Sequence, residues 1–543
     1  MPEEPKAKKA GLGDALKRAV GIEGDAKETL LPMFNYGVKN VGDASASQII
    51  GDHYLPFITY IEGLSPGTAT VIAFLRSIWD AVIDPFIGFA VDSTRSRLGK
   101  HRLYIILVAV PYGISLAMRF TSFGLSGQEG PGAYGKLLAY HLCVGLLYAL
   151  FNSILDISHS AMLPTLAKGY FERTQYISMT FMMNSVGMVP ASVFGSAMVG
   201  IVSTKDYDPS MRPTLFKMAL VVGLVGIIPI LYSGIATKEP SSKNDVFPPL
   251  NVKAFFHEFA LVFRNRSFRQ YFSMTFLYLF GSSFFSVSKP FFLREVANRW
   301  DKRSQLELWR GGFEMAMFPI NYALTKKFGK QKCALITMPL LFVSFFLGFV
   351  IAPQAQGSKL FSVLAILFAR EIFYIIGYSG YGFMVSNIYP DVTDVDEMIT
   401  GRRREATIST FNSFVKTMVS GFMSSVVGIL LEWFGVAQES TKVPLFTARA
   451  SSLYGGFTPS FGLKVSNAFL PIVFMGLSLL SLRKYTMTKQ DHELIRRAVA
   501  QRHEEGKADV TDTERAKLEE IAGKPWGEMW VSGAAAEAAD TMV

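Results

Sequence analysis

Cysteine and histidine are scarce in this 543-residue chain, which contains two of the first and seven of the second. Cys143 and Cys333 both fall within apolar stretches, which excludes a disulfide framework and a cysteine-ligated zinc site. An integral-membrane enzyme would need a cluster of acid–base or metal-binding residues near one membrane interface, and the scattered histidines form none. We therefore expect neither catalytic residues nor a cofactor.

Charged residues make up only 18% of the chain, whereas half of its residues are hydrophobic. A helix needs about 20 predominantly apolar residues to cross a bilayer, and about 12 stretches of the sequence meet that length. The sequence therefore predicts an all-α membrane protein. Its net charge of +10 resides in short loops between the apolar stretches, which indicates membrane topology in a lipid bilayer rather than a nucleic-acid partner.

The segment KEPSSKNDVFPPLN divides the apolar stretches into two sets of six, and the sequences after the fourth and tenth stretches resemble each other. We predict an N-terminal tail, a six-helix bundle, a linker with an interfacial helix, a second six-helix bundle and a C-terminal tail, bounded as 1–32, 33–237, 238–268, 269–483 and 484–543. The first 30 residues lack the apolar core of a cleavable signal peptide. Basic loops on the side of both tails predict cytoplasmic termini in the cell (inner) membrane.

The stretch from 71 to 102 carries ionisable residues inside an apolar run. Arg76, Asp80 and Asp84 follow one another at four-residue intervals, so the two carboxylates lie one turn apart on one helix face. One interpretation is that Arg76 neutralises Asp80 and the pair only packs helices. That interpretation leaves Asp84 unpaired in a low-dielectric setting, and ionisable residues at this depth are usually functional.

Two other predicted helices carry polar residues at membrane depth. In the first helix, Lys39 and Asp43 are one turn apart, and they either form a salt bridge that holds the helix or contact a ligand. In the fourth helix a polar stripe follows three- and four-residue intervals and consists of Asn152, Ser153, Asp156, His159 and Ser160. A receptor or scaffold would not need such charges inside the membrane.

Four stretches together resemble the glycoside–pentoside–hexuronide:cation symporters of the major facilitator superfamily, a group that includes the melibiose permeases. They are WDAVIDPFIGFAVDSTRSRLGKHR, YGVKNVGD, LDISHSAMLP, and DVTDVDEMITGRRRE with FNSFVKTMV. The resemblance covers about residues 34–500. It implies the major facilitator fold, in which two six-helix bundles rock around a central cavity, and a cation-coupled symporter that imports a small organic solute.

The resemblance also implies the site residues. The cation site would contain Asp80, Asp84, Asp156 and Ser153. The polar stripes of the first and fourth helices and the motif FNSFVKTMV give the predicted substrate contacts Lys39, Asp43, Asn152, His159, Asn412 and Lys416, of which the resemblance implies that Lys416 approaches the cation site from the second bundle. The cytoplasmic gate would contain Asp92, Arg95, Arg97, Lys100, Arg173, Asp394, Arg403 and Glu405, unless these loop charges serve only as topology signals. Three carboxylates in one cavity repel one another, so a bound cation or proton must relieve them, and Lys416 from the second bundle would offset one charge.

Three positions depart from the family pattern. The sugar-binding acid of the first helix falls at Ala44 and the sugar-binding arginine of the fifth helix at Phe181, which argues against a galactoside of the usual kind. These losses and the Phe-rich seventh helix keep open a lysolipid- or sterol-like substrate. Ile83 replaces an asparagine, which removes an oxygen ligand that sodium needs, so we expect proton coupling rather than sodium coupling. We further expect a monomer.

Overall fold

The computed structural model describes residues 26–128, 132–166, 176, 179–180, 182–191, 212–239, 263, 265–351, 360–401, 405–436, 459–485, 487–505 and 508–530. Within these residues the chain forms a succession of long helices joined by short loops.

The helices of the first half are α1 (Ala26–Gly37), α2 (Lys39–Ile49), α3 (Pro66–Asp92), α4 (Lys100–Met118), α5 (Ala133–Leu166) and α6 (Arg212–Ala236). Two short π-helical turns, Ile50–Tyr54 and Phe57–Ile61, extend α2 to the end of the first predicted span. Ser65 caps α3 by accepting a hydrogen bond of 3.1 Å from the Thr68 amide, and Pro66 fits the first turn because that turn needs no amide donor.

The helices of the second half and the C-terminal segment are α7 (Arg266–Phe291), α8 (Arg303–Phe328), α9 (Lys330–Thr337), α10 (Pro339–Val350), α11 (Leu360–Thr400), α12 (Glu405–Trp433), α13 (Pro459–Lys464), α14 (Leu470–Leu482), α15 (Lys489–Glu505) and α16 (Asp512–Ala522). The pair α9 and α10 forms one continuous span, as do α13 and α14 with the π-helical turn between them. Asn265 caps α7 by accepting from the Phe268 amide.

Eight helical segments of the described chain are long and apolar enough to cross a membrane. The helices α3 and α8 have similar lengths, 27 and 26 residues, but their ionisable residues lower the hydropathy that identifies a span. These charges mark the two helices as lining a protein interior, because lipid cannot solvate them. The protein is therefore an all-α integral membrane protein, as the sequence predicts.

The two halves meet mainly along α3 and α12. Ser425 donates a hydrogen bond of 2.7 Å to the Thr70 carbonyl, and the Gly67 amide donates one of 3.0 Å to the Glu432 carboxylate. These bonds join the beginning of α3 to the end of α12, and we call this end of the molecule the closed end. We call the opposite end, where α3 and α11 finish and α15 and α16 pack, the tail end.

Candidate functional site

Lys39 connects the polar stripes of α2 and α5. Its Nζ atom lies 2.6 Å from Asp156 Oδ1 and 3.3 Å from Asp43 Oδ2. The lysine side chain is buried, whereas Asp156 is 47% exposed and also accepts a hydrogen bond of 3.0 Å from the Asn152 amide. A buried ammonium needs such partners to offset its desolvation. Solvent reaches this cluster through Asp156, although Asp156 lies well inside its span.

A tyrosine pair completes the surroundings of Asp43. The Tyr112 hydroxyl donates to Asp43 Oδ1 over 3.4 Å and lies 3.1 Å from the Tyr148 hydroxyl. Both tyrosine rings are buried. Asp43 therefore accepts a hydrogen bond on each carboxylate oxygen, from Tyr112 and from Lys39, and both donors belong to the first half. This arrangement favours a fixed role for Asp43 in holding Lys39.

The carboxylates of α3 are less completely bonded. Arg76 Nη1 lies 3.8 Å from Asp80 Oδ2, while the other oxygen, Oδ1, is buried without a hydrogen-bond partner. Asp84 likewise keeps a buried, unbonded Oδ1, and the Ser153 hydroxyl faces this carboxylate. An unbonded buried oxygen is costly unless a proton or a cation satisfies it. The pair Asp80 and Asp84 is therefore the part of the predicted cation site best suited to receive one.

The predicted cation-site residues are not gathered into a closed cage in this conformation. Within the described ranges, no group of three acidic, histidine or cysteine side chains comes close enough to hold a metal ion. Each carboxylate oxygen of Asp156 already accepts a hydrogen bond, one from Lys39 and one from the Asn152 side chain. Its role as a cation ligand stays a prediction.

Lys416 of α12 lies between the two halves, and its approach to the carboxylates of α3 stays a prediction. It lines a cavity of about 320 Å³ between α3 and α12, which is also lined by Ala73, Arg76, Ser77, Thr417, Ser420, Gly421 and Ser424. The prediction placed Lys416 beside the carboxylates. In this conformation it shares the cavity with Arg76, because α12 packs closely along α3.

Two other predicted substrate contacts serve as packing groups in this conformation. The His159 ring stacks on Tyr36 with centroids 4.0 Å apart, and its Nε2 lies 3.0 Å from the Tyr36 carbonyl. Asn412 lies against Tyr271 of α7. Since His159 is buried and joins α1 to α5, the sequence pattern alone did not distinguish a helix contact from a ligand contact. Both assignments to the substrate stay predictions.

The predicted gate residues fall into two separate groups. Arg95 and Arg97 lie in the loop before α4, which begins at Lys100, and this loop is held within the first half because the Arg102 amide donates to Glu239 over 2.8 Å. Asp394 lies in α11 and accepts from His492 Nε2 over 2.8 Å. Arg173 and Arg403, and the side chains of Asp92 and Glu405, lie outside the described residues. In this conformation Asp394 pairs with the C-terminal segment rather than with the basic loop.

A second buried charge cluster, which sequence reasoning missed, lies in the second half. Lys289 Nζ is 2.7 Å from Glu307 Oε1 and 3.2 Å from Glu371 Oε2, and Arg310 lies 3.2 Å from Glu307 Oε2. Gln48 of the first half reaches the same Glu307 oxygen over 3.4 Å. Two cations and two carboxylates balance in this cluster. The signal that revealed Asp80, a charge inside an apolar run, was also present in FFSVSKPFFL and ILFAREIF.

The protein consists of two halves of membrane-spanning helices. The halves enclose charged interior surfaces and meet tightly at one end. This architecture is that of a membrane transporter rather than an enzyme. The chain matches the model of the family described as MFS/sugar transport protein over residues 35–489, and it belongs to that family. Its fold is the major facilitator fold, as predicted.

The relatives and structural neighbours are consistent with this membership. The chain is 23% identical to the isoprimeverose transporter of Lactiplantibacillus pentosus, over 85% of this chain and 90% of that one. It is 21% identical to a putative glycoside/cation symporter of Escherichia coli (strain K12), over 83% of this chain and 91% of that one. Among solved structures, the nucleoside transporter NupG has a TM-score of 0.53 at 12% identity, with 84% of this chain and 99% of that one covered.

Proposed function

We propose that the protein is a cation-coupled symporter that imports a small organic solute by alternating access, with the proton favoured over sodium as coupling ion. The observation that carries the proposal is the pair of buried, unbonded carboxylate oxygens on Asp80 and Asp84, beside a cavity between the two halves. The names of the relatives, an isoprimeverose transporter and a putative glycoside/cation symporter, support a sugar-type solute and coupling to a cation.

The cavity between α3 and α12 is the proposed solute site. Its hydroxyl groups and the cations Arg76 and Lys416 offer hydrogen-bond donors, which suits a polyhydroxylated solute with acceptor or acidic groups. A lipid-like solute would need an apolar pocket. The phenylalanines of α7 pack instead against other helices, for example Phe284 against Phe474 with centroids 5.7 Å apart. We therefore favour a hydrophilic solute over a lysolipid or sterol.

The proposed coupling of proton and solute follows from the position of α3 between the carboxylate pair and the solute cavity. One face of α3 carries Asp80 and Asp84, and Arg76 links Asp80 to the solute cavity through their ion pair. A proton on Asp80 removes the charge that holds Arg76 and frees Arg76 for the solute, and a proton on Asp84 removes the neighbouring negative charge one turn away. Solute and proton then favour the same state, which is the thermodynamic condition for symport. The tail end faces the cytoplasm in this proposal, so the structure is closed on the outside.

The test is uptake by purified protein in proteoliposomes, screened with labelled neutral sugars and sugar acids. An inward proton gradient in sodium-free buffer should drive accumulation, and a protonophore should abolish it. Asp84→Asn should bind solute without accumulating it, because the amide keeps the shape but cannot take up a proton. Asp512→Asn, a change at a fully exposed carboxylate of α16, is the matched control. Strict dependence on sodium at fixed pH would overturn proton coupling, and full accumulation by Asp84→Asn would overturn the site.

A further inference from the structure

The chain after the last span folds back onto the membrane domain. The helices α15 and α16 share an apolar cluster with the last turns of α11, which extend beyond the span that ends at Val385. The buried members of this cluster are Val395, Met398, Ile399, Ile495, Ala498, Leu518, Ile521, Ala522 and Met529. We call residues 487–505 and 508–530 together the tail brace.

Two histidines of the tail brace meet acidic residues of α11. His492 Nε2 lies 2.8 Å from Asp394 and 3.5 Å from Asp391, and His503 Nε2 lies 3.1 Å from Glu397. The histidines are 11 residues apart, about three helical turns, so they lie on one face of α15. This face carries the polar part of the contact, beside the apolar cluster.

The tail brace also holds the beginning of α7. Ser267 donates a hydrogen bond of 2.9 Å to the Ile521 carbonyl, and Arg266 donates one of 3.0 Å to the Glu520 carbonyl. Gly523 permits this close approach, because it has a φ of +72° and a β-carbon there would lie 2.7 Å from the Arg266 β-carbon. At the other end of the contact, the Trp530 amide donates to the Ile399 carbonyl over 2.8 Å. The brace therefore ties the tail ends of α7 and α11 together.

We propose that the tail brace holds the second half in the arrangement seen here and that His492, as a positioning residue, withholds Asp394 from the basic loop of the first half. Closing the tail end brings Asp394 towards that loop, so releasing His492 becomes part of the conformational cycle. The brace then opposes the conformational switch from the state seen here, in which the closed end is closed, to the state in which the closed end is open and the tail end is closed. This inference relies on the proposed transport cycle only for the meaning of the switch, not for its detection.

The contact is sensitive to pH. The groups that face His492 are Asp391 and Asp394 of α11 and Lys330 of α9. The hydrogen bond to Asp394 raises the pKa of His492 above its ordinary value. A histidine with a raised pKa in the docked state stabilises docking fully below its ordinary pKa of about 6.5 and loses this contribution as pH rises through the raised value. The brace is therefore tightest in acid, which makes it a feedback brake on inward proton transport.

The switch can be followed without any solute by double electron–electron resonance between spin labels at the closed end. Phe123→Cys and Leu308→Cys place labels on opposite halves at positions that are 65% and 49% exposed, in full-length protein with Cys143→Ala and Cys333→Ala. A short distance reports the closed end as seen here, and a longer distance reports its opening. Hydrogen–deuterium exchange of α15 reports docking of the brace itself.

His492→Gln should raise the ratio of long to short distances about two- to fivefold at about pH 6, the effect expected for a partly exposed ion pair, with a parallel rise in α15 exchange. As the pH rises through the raised pKa of His492, the wild-type side chain loses its charge, and the difference between variant and wild type should shrink. Ser267→Ala removes an uncharged hydrogen bond between α7 and the tail brace, so it should raise the ratio of long to short distances both below and above this pKa. Arg496→Gln, at an exposed position of α15, is the control.

Equal distance distributions for His492→Gln and wild type at about pH 6 would overturn the proposal. So would faster exchange in α15 with unchanged distances, since the contact would then be structural only. An effect of His492→Gln that is equally large below and above the raised pKa would overturn the role of its charge. Because neither readout needs a gradient or a solute, failure of the symport proposal would leave these results interpretable.

Discussion

The closed end depends on two glycines of α12 that let it approach α3. A β-carbon at Gly428 would lie 2.7 Å from the Thr70 β-carbon, and one at Gly421 would lie 2.5 Å from the Ser77 β-carbon. Carbon atoms pack at about 3.5–4.0 Å, so an added methyl overlaps its neighbour by about 1 Å. Since the atoms met are β-carbons fixed to the backbone, a side-chain rotation does not relieve the overlap. Gly428→Ala should therefore force α3 and α12 apart.

The size of the effect follows from the cost of overpacking, about 1–3 kcal/mol for an added methylene in a packed site. This cost applies only to the state in which the closed end is closed, because separation of the helices removes the overlap. The ratio of the opposite state to this one should then rise about 5- to 150-fold. Alanine also favours a helix over glycine by about 1 kcal/mol, but it does so in both states and leaves the ratio unchanged.

The spin-label pair at Phe123→Cys and Leu308→Cys measures this ratio directly. Gly428→Ala should shift the distance distribution towards long distances and also lower the protection of the Ser425 region from hydrogen exchange. Gly476→Ala is the matched control, since it lies in α14 and an added β-carbon there meets nothing within 4 Å. An unchanged distance distribution for Gly428→Ala, equal to that of the control, would refute the glycine contact as the element that closes this end.

Two further predictions concern the buried lysines. Lys39→Met leaves Asp43 buried without its cation and should lower the free energy of unfolding by about 3 kcal/mol. This is the lower end of the range for a broken buried pair, because Asp156 is partly exposed. Adding Asp43→Asn should restore part of the lost stability in thermal denaturation, and the absence of any recovery would show that Asp43 is not the charge left unpaired. Lys289→Met should cost about 3–5 kcal/mol, since Glu307 and Glu371 are both buried; the double change with Glu371→Gln should be milder, and an equal melting temperature for wild type and Lys289→Met would contradict this account.

Helical periodicity accounts for what was predictable in the site. The four-residue spacing of Arg76 and Asp80 allowed an ion pair along α3 as one interpretation, and the structure contains this pair at 3.8 Å beside an Asp84 that has no cationic partner of its own among the described residues. The same spacing left two meanings open for Lys39 and Asp43, of which the structure forms the salt bridge at 3.3 Å. Periodicity shows which residues share a helix face. It does not show which helix that face meets, so the ion pair of Lys39 with Asp156, 117 residues away, was beyond it.

The family and the fold that the resemblance implied are both confirmed, whereas the site residues that it implied stay predictions. Lys416 matches the family motif, yet its side chain shares a cavity with Arg76, because the position of a side chain between two halves depends on how the halves are tilted. Lys289 carries the same sequence signal as the charges of α3, an ionisable residue inside an apolar run. It lies among phenylalanines, and a run of phenylalanines favours the interpretation of an apolar pocket over that of a charge cluster. The docking of α15 and α16 needed the partner surface on α11, which no local pattern reveals.

The two lysine clusters have complementary roles in a rocking motion. Lys39 binds Asp43 and Asp156 within the first half, and Lys289 binds Glu307 and Glu371 within the second, so each cluster moves as a unit with its own half. One link between the two clusters is a hydrogen bond of 3.4 Å that the Gln48 side-chain amide donates to Glu307, and separation of the halves breaks it.

Asp80 and Asp84 differ from these clusters in two ways. They lie on α3, the helix that forms the main contact between the halves, and each keeps a carboxylate oxygen without a hydrogen bond. A charge whose ion-pair partners all lie within its own half keeps the same partners in every tilt of that half, so those partners give it no reason to bind an ion differently as the halves move. A carboxylate on α3 changes its surroundings as α12 approaches or withdraws, so its affinity for a proton changes with the tilt. We therefore propose that the coupling ion binds to the carboxylates of α3 and that the two lysine clusters keep each half rigid.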